Sequence, residues 1–230
     1  MPIILAIETS SELASVALSI NGEIIKREAS GVQTHSQTVL PLVRELLAQA
    51  GMVIERCDAI AFGSGPGSFT GVRTACGLAQ GLAFGADLPV VPVVTLEAMA
   101  HGCRKLTGAE NVLSILDARM GEVYWAQYRH MTGWDVVFEP ALSSPDAIRF
   151  DGSPAVCGNG IAAYRGKFKE MLARAQYVEA VPVPHASQIV ELAEAKLGQG
   201  LAVSVQDAQP FYLRNKVAFT SAERAARLIA

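Results

Sequence analysis

The sequence predicts an α/β protein made of two related halves, and three observations carry that expectation. A short apolar strand, a glycine-rich loop and a helix follow one another over residues 58–84, and the same order returns over residues 155–175. A run of consecutive strands opens each half, first over residues 3–27 and again over residues 112–138. With 230 residues, half of them hydrophobic, the chain can bury one large core or two modest ones.

Ile3-Ile4-Leu5-Ala6-Ile7 is a continuous apolar run, as a strand covered on both faces requires, and it delivers Glu8-Thr9-Ser10-Ser11 to the following bend. Ala14, Val16, Leu18 and Ile20 then alternate with small polar residues. Asn21-Gly22 is a strong hairpin signal, and residues 23–27 supply the return strand, so strands one to three form an antiparallel meander. Thr34 and Gln37 are spaced as a capping box for a helix over residues 34–51, with Pro41 bending its early turns. At about 100° per residue, Val39, Leu40, Leu42, Val43, Leu46, Leu47 and Ala50 fill an apolar arc of roughly 160°. One flank of so wide an arc covers the sheet while the other is free to meet a partner; a deeply seated core helix gives the same pattern.

The glycine-rich stretch runs Gly63-Ser64-Gly65-Pro66-Gly67-Ser68-Phe69-Thr70-Gly71-Val72-Arg73. Its glycines let the backbone turn tightly and gather bare N–H groups at a helix start, a geometry that suits an anion. A tight turn feeding a strand into a packed helix needs the same residues. The Gly-Lys-Ser/Thr ending of a P-loop is missing, and neither Ser64 nor Ser68 sits in the Gly-x-Ser-x-Gly frame of a nucleophile elbow. Along the next helix, Val72, Ala75, Leu78, Ala79 and Leu82 form an apolar stripe, while Arg73, Gly77, Gln80, Gly81 and Phe84 share the opposite arc. Glycine costs a solvated helix about 1 kcal/mol against alanine, so that arc reads as a surface for close approach by another helix; glycines packed inside the same domain, with Phe84 turned inward at the helix end, give the same pattern.

Residues 89–94 give another strand, with prolines marking an edge, and a helix follows over residues 96–105. After a boundary at residues 102–111 come strands at residues 112–116, 123–128 and 135–138. Residues 155–157, Gly158-Asn159-Gly160 and a helix to residue 175 follow, then a helix capped by Ser187 and ended by Gly198 and Gly200. Residues 220–230 read as a short helical tail.

Composition narrows the function. The longest apolar runs fall well short of the ~20 residues of a membrane helix, and the N-terminus lacks the basic flank of a signal peptide, so the expected site is the cytoplasm. Cys57, Cys76, Cys103 and Cys157 form no C-x-x-C pair, and the four histidines stand alone, so neither a metal nor a disulfide frame is expected. A net charge of −3 leaves no electrostatic footprint for nucleic acid.

Several stretches together resemble the bacterial TsaB (YeaZ) proteins, relatives of the TsaD family, across nearly the whole chain. They are Leu5-Ala6-Ile7-Glu8-Thr9-Ser10, His35-Ser36-Gln37, residues 63–73, Asp117-Ala118-Arg119-Met120-Gly121-Glu122-Val123-Tyr124 and Pro210-Phe211-Tyr212-Leu213-Arg214. The resemblance implies a two-lobed actin/hexokinase/Hsp70-like (ASKHA, ribonuclease H-like) α/β fold with mixed sheets. The first lobe would span residues 1–105, with the glycine-rich loop and the partner helices. The second would span residues 106–230, its last helix packing back on the first. It also implies a part in making threonylcarbamoyladenosine in tRNA, as a non-catalytic partner of a TsaD-like subunit that carries nucleotide and metal, with a TsaE-like ATPase in the larger complex. In this picture the chain holds no cofactor, meets tRNA only through the complex, and forms a homodimer when alone.

The first two helices would supply the docking residues Val39, Leu40, Val43, Leu46, Leu47, Arg73, Gly77, Gln80, Gly81 and Phe84. Glu8, Thr9, Ser10, Gly65, Gly67, Ser68, Phe69 and Thr70 would form a vestigial phosphate loop. TsaD-like chains carry a Val-Asn-His-x-x-x-His metal sequence after the corresponding strand; here its ligand positions fall on Leu96 and Ala100, which offer no lone pair. The alternative is an ATP-binding phosphotransferase or ATPase of the same fold, with Glu8 or Asp117 as its carboxylate.

Overall fold

The computed structural model describes residues 1–30, 35–177 and 183–214. Thr34 of the capping box and the tail at residues 220–230 lie outside them. The first sheet opens with β1 (Ile4–Glu8), β2 (Leu13–Ile20) and β3 (Glu23–Ser30), an antiparallel meander. Asn21 and Gly22, both at positive φ, make the β2–β3 turn that the sequence announces. Helix α1 (His35–Ala50) leads to β4 (Ala59–Gly65), α2 (Phe69–Ala86), β5 (Val90–Val94) and α3 (Thr95–Thr107). β4 lies parallel to β1 and β5 parallel to β4, in the order β3-β2-β1-β4-β5.

The second sheet repeats this plan. β6 (Asn111–Asp117), β7 (Val123–His130) and β8 (Trp134–Ser143) form a meander; β9 (Ala155–Cys157) runs parallel to β6, and β10 (Gln176–Tyr177) runs parallel to β9. The order β10-β9-β6-β7-β8 mirrors the first sheet strand for strand. Two lobes of one design confirm the two-lobed mixed-sheet fold that the sequence points to.

β1 is apolar throughout because both its faces are covered. Leu5 and Ile7 join Val39, Val43 and Leu46 of α1 and Ala75, Cys76 and Ala79 of α2 in one core; Ile4 and Ala6 face a second core on the other side of the sheet. That second core is filled by α6 (Ala186–Gly198), through Ala186, Ile189, Val190 and Ala193. α3 buries Leu96, Met99, Ala100 and Cys103 against the second sheet. α3 and α6 thus lie between the two sheets, and Val203 pairs antiparallel with Val90 at the edge of the first. All four cysteines are buried free thiols.

Two local expectations give way. The helix expected to run to residue 175 is broken into α4 (Asn159–Ala163), a 3-10 turn and α5 (Lys169–Leu172), because Tyr164 leaves helical geometry at φ −129°. The cap of α6 is His185, not Ser187: its Nδ1 accepts from the Ser187 N–H at 3.0 Å, while its Nε2 lies 2.9 Å from Glu28 Oε2. A histidine cap carries no strong sequence signal. His185→Ala is expected to cost about 1 kcal/mol from the lost cap, measurable as a lowered denaturation midpoint.

Candidate functional site

The glycine-rich loop closes onto the end of β1. A Cβ built on Gly67 would come closer than 3.0 Å to Ser10, and one on Gly71 would collide with the Thr9 carbonyl oxygen. Part of the loop's N–H set is engaged by the chain itself: Ser68 N–H donates to Ser10 O at 2.7 Å, and Val72 N–H donates to Ser68 O at 2.9 Å. Ser68 Oγ caps α2 by accepting from Gly71 N–H at 3.4 Å, and Thr9 Oγ1 donates to Gly71 O at 2.7 Å. Close backbone approach accounts for these glycines. Gly158 and Gly160 repeat the device in the second lobe, pressed against Ile115 and Leu116 of β6.

Glu8, Thr9 and Ser10 are buried here. Glu8 Oε1 accepts from Ser10 N–H, while Glu8 Oε2, Ser10 Oγ and Thr95 Oγ1 have no hydrogen-bond partner among the described residues. Burial pushes the Glu8 carboxyl above its ordinary range, opposed by the hydrogen bond from the Ser10 N–H. Asp117, the other carboxylate singled out in sequence, accepts from its own Arg119 N–H at 2.8 Å and from Tyr164 Oη at 2.9 Å.

Between the lobes lies a cleft of about 670 Å³, bordered by Gly67, Ser68, Phe69 and Thr70 of the loop and by Asp117 and Asn159 of the second lobe. Leu96 and Ala100, where the sequence offers no metal ligand, are wholly buried in the α3 core. His101 is turned away to Glu191 at 2.6 Å and to Trp134 at 3.3 Å. The side chains present do not fit a metal at that position.

The outward face of α2 has a different character. Arg73, Gly77, Gly81 and Phe84 are exposed, Phe84 to 74%. A Cβ added to Gly77, Gly81 or Gly85 would meet nothing within 4 Å, so these glycines serve no packing need inside the described chain. On α1, Leu40 is exposed and Leu47 half-buried against the first-lobe core. Val39, Val43 and Leu46 are corrections to the expected docking set. They lie at 0–2% exposure in the first-lobe core, because the 39–43–46 spacing is the stripe α1 lays on the sheet. Gln80 is half-buried, and its amide donates to Val205 O and Ala208 O, so its donor serves the chain itself.

Arg73 is exposed but held: its Nε–H donates to Tyr212 Oη at 2.6 Å and its guanidinium sits 3.7 Å over the Phe69 ring. Tyr212 lies 139 residues from Arg73 along the chain, and no local spacing signals such a contact.

Residues 17–222 match the family model described as TsaD, tRNA N6-adenosine threonylcarbamoyltransferase. The tRNA threonylcarbamoyladenosine biosynthesis protein TsaB of Haemophilus influenzae is 39% identical over 227 residues, covering 93% of this chain and 94% of that one. Its Escherichia coli counterpart is 39% identical over 223 residues, covering 94% and 96%. The solved structure of YeaZ from Pseudomonas aeruginosa superposes with a TM-score of 0.85 at 36% identity, covering 93% of this chain and all of that one.

Proposed function

The chain belongs to the TsaD family, among its TsaB proteins, and from that premise we propose that it takes part in tRNA threonylcarbamoyladenosine biosynthesis as a non-catalytic subunit. Its role is to dock a TsaD-like threonylcarbamoyltransferase on the outward face of α2, flanked by Leu40 and Leu47 of α1. One observation carries this reading: Gly77 and Gly81 stand exposed with empty space where their side chains would be, between Arg73 and Phe84. Small residues one turn apart admit the backbone of a second helix, while Arg and Phe are common interface anchors. A TsaE-like ATPase joins the larger complex, tRNA is met through it, and without a partner the same face pairs with a second copy. The work is done in the cytoplasm; among the described residues no helix is long and apolar enough to cross a membrane. The rival reading, ATP turnover in the cleft, has fewer loop donors to draw on, since the N–H groups of Ser68, Gly71 and Val72 already serve the chain's own oxygens.

Mixing the purified chain with a TsaD-like subunit and measuring complex mass tests the assignment. Gly77→Trp should not lower the melting temperature and should weaken the complex by at least about 100-fold, the loss expected of a blocked interface centre. Gly166→Trp, equally open but on the second lobe, should bind normally. Full co-elution of Gly77→Trp would count against this docking face, and ATP hydrolysis by the chain alone, lost in Glu8→Gln, would favour the rival.

A further inference from the structure

The two lobes are joined at their base by α3 and α6, where Glu191 of α6 meets His101 at 2.6 Å and Lys105 at 2.5 Å, and Trp134 packs into the cores on both sides. Two lobes joined at one side can move about that connection where the opposite side is untied. Residues 210–214 run across that open end. Phe211 N–H donates to Ser64 O at 2.7 Å, and the Tyr212 ring packs 5.9 Å from Phe69 while its hydroxyl accepts from Arg73; both contacts lie on the first lobe. Gly65, at φ +106°, makes room, since a Cβ there would lie 2.9 Å from the Phe211 carbonyl oxygen. The next two residues belong to the other lobe: Leu213 packs on the second-lobe core, and Arg214 Nη2 donates to Glu122 Oε2 at 2.6 Å.

Glu122 is presented by an unusual turn. Arg119, Met120 and Gly121 are all left-handed, at φ 61°, 59° and 82°, closed by Ala118 N–H donating to Glu122 O at 3.0 Å. Two successive non-glycine residues in that region carry a local cost that the surroundings must hold in place. Met120 Sδ lies 3.0 Å from Arg214, and Arg119 reaches Glu12 of the first lobe at 3.2 Å. The Arg119–Glu12 pair is exposed at both ends and contributes little, whereas Arg214 has only 14% of its side chain exposed.

We propose that residues 210–214 are a clamp that sets the separation of the lobes at the cleft mouth and, through Tyr212, holds Arg73 in place on α2. The clamp stands whether or not α2 is a docking helix, because it is built from contacts within the chain. The fold is thereby held at one aperture while the hinge at its base stays intact.

Pulsed electron-spin distance measurement on the full chain tests it, with spin labels at Ala48→Cys on α1 and Ala163→Cys on α4, both exposed; the native cysteines are buried. The unmodified clamp should give one narrow distribution. Arg214→Glu, facing Glu122, should broaden it toward longer distances, and adding Glu122→Arg should restore the narrow distribution. Arg214→Gln, which keeps most of the stem without the charge, should also broaden it. If Arg214→Glu fails to fold, the Gln variant alone decides. A distribution unchanged in the single variants, or one that stays broad in the charge-swapped pair, overturns the clamp.

Discussion

Gly71→Ala is expected to destabilise the first lobe by more than about 3 kcal/mol, the upper end of the cost of overpacking a tight core. The added methyl group would run into the Thr9 carbonyl oxygen, with Thr9 C at 3.0 Å and Ser10 Cα at 3.4 Å behind it. All three are backbone atoms at the end of the central strand, so no side chain can swing aside. Thr9 Oγ1 bonds the Gly71 carbonyl from the same side, and relieving the clash would also break that bond. Gly77→Ala, six residues on in the same helix, meets nothing within 4 Å and should stabilise the isolated chain by up to about 1 kcal/mol. Thermal melts of the two variants should therefore move in opposite directions. A Gly71→Ala protein melting with the parent would mean that the loop stands further from β1 than described above.

Glu8→Gln should make stability less sensitive to pH. The Glu8 carboxyl is wholly buried and raised, chiefly by desolvation. A carboxyl whose folded pKa lies above its unfolded value adds stability that is complete below the unfolded pKa and is lost as pH climbs through the folded one. The loss can reach about 1.4 kcal/mol per pH unit for one proton. Glutamine cannot ionise, and its NH₂ can donate to Ser10 Oγ and Thr95 Oγ1, both without partners among the described residues. Denaturation midpoints followed upward in pH from the ordinary carboxylate range should show Glu8→Gln falling behind or level at the acid end and ahead at the alkaline end, because the raised carboxyl loses its contribution as pH rises. A gap independent of pH would mean that Glu8 is ionised throughout, with a counter-charge or water supporting it.

Much of the fold was legible because local pattern carried it. The unbroken run Ile3-Ile4-Leu5-Ala6-Ile7 announced a strand covered on two sides; Asn21-Gly22 announced the hairpin; the alternation of strand, glycine turn and helix announced two similar lobes. The candidate site was only partly legible. Gly77, Gly81 and Phe84 share an outward arc in the sequence and are exposed in the structure, since polarity and side-chain size along one helix are enough to show an outward face. On α1 the apolar arc was too wide to divide, so Val39, Val43 and Leu46 were grouped with Leu40, although the sheet covers the first three. The His185 cap and the grip of Tyr212 on Arg73 left no local trace at all.

The chain's periodicities and glycine spacings were enough, unaided, to establish which segments are strands and helices, that the lobes repeat, and which family the chain resembles. What they could not show was what holds Gly71 in place: its Cβ position is filled by the Thr9 carbonyl oxygen at the end of β1, whereas that of Gly77 is open. Only the packed structure decides this, because close approach is a relation between segments distant along the chain, whereas periodicity reports on neighbours a turn apart.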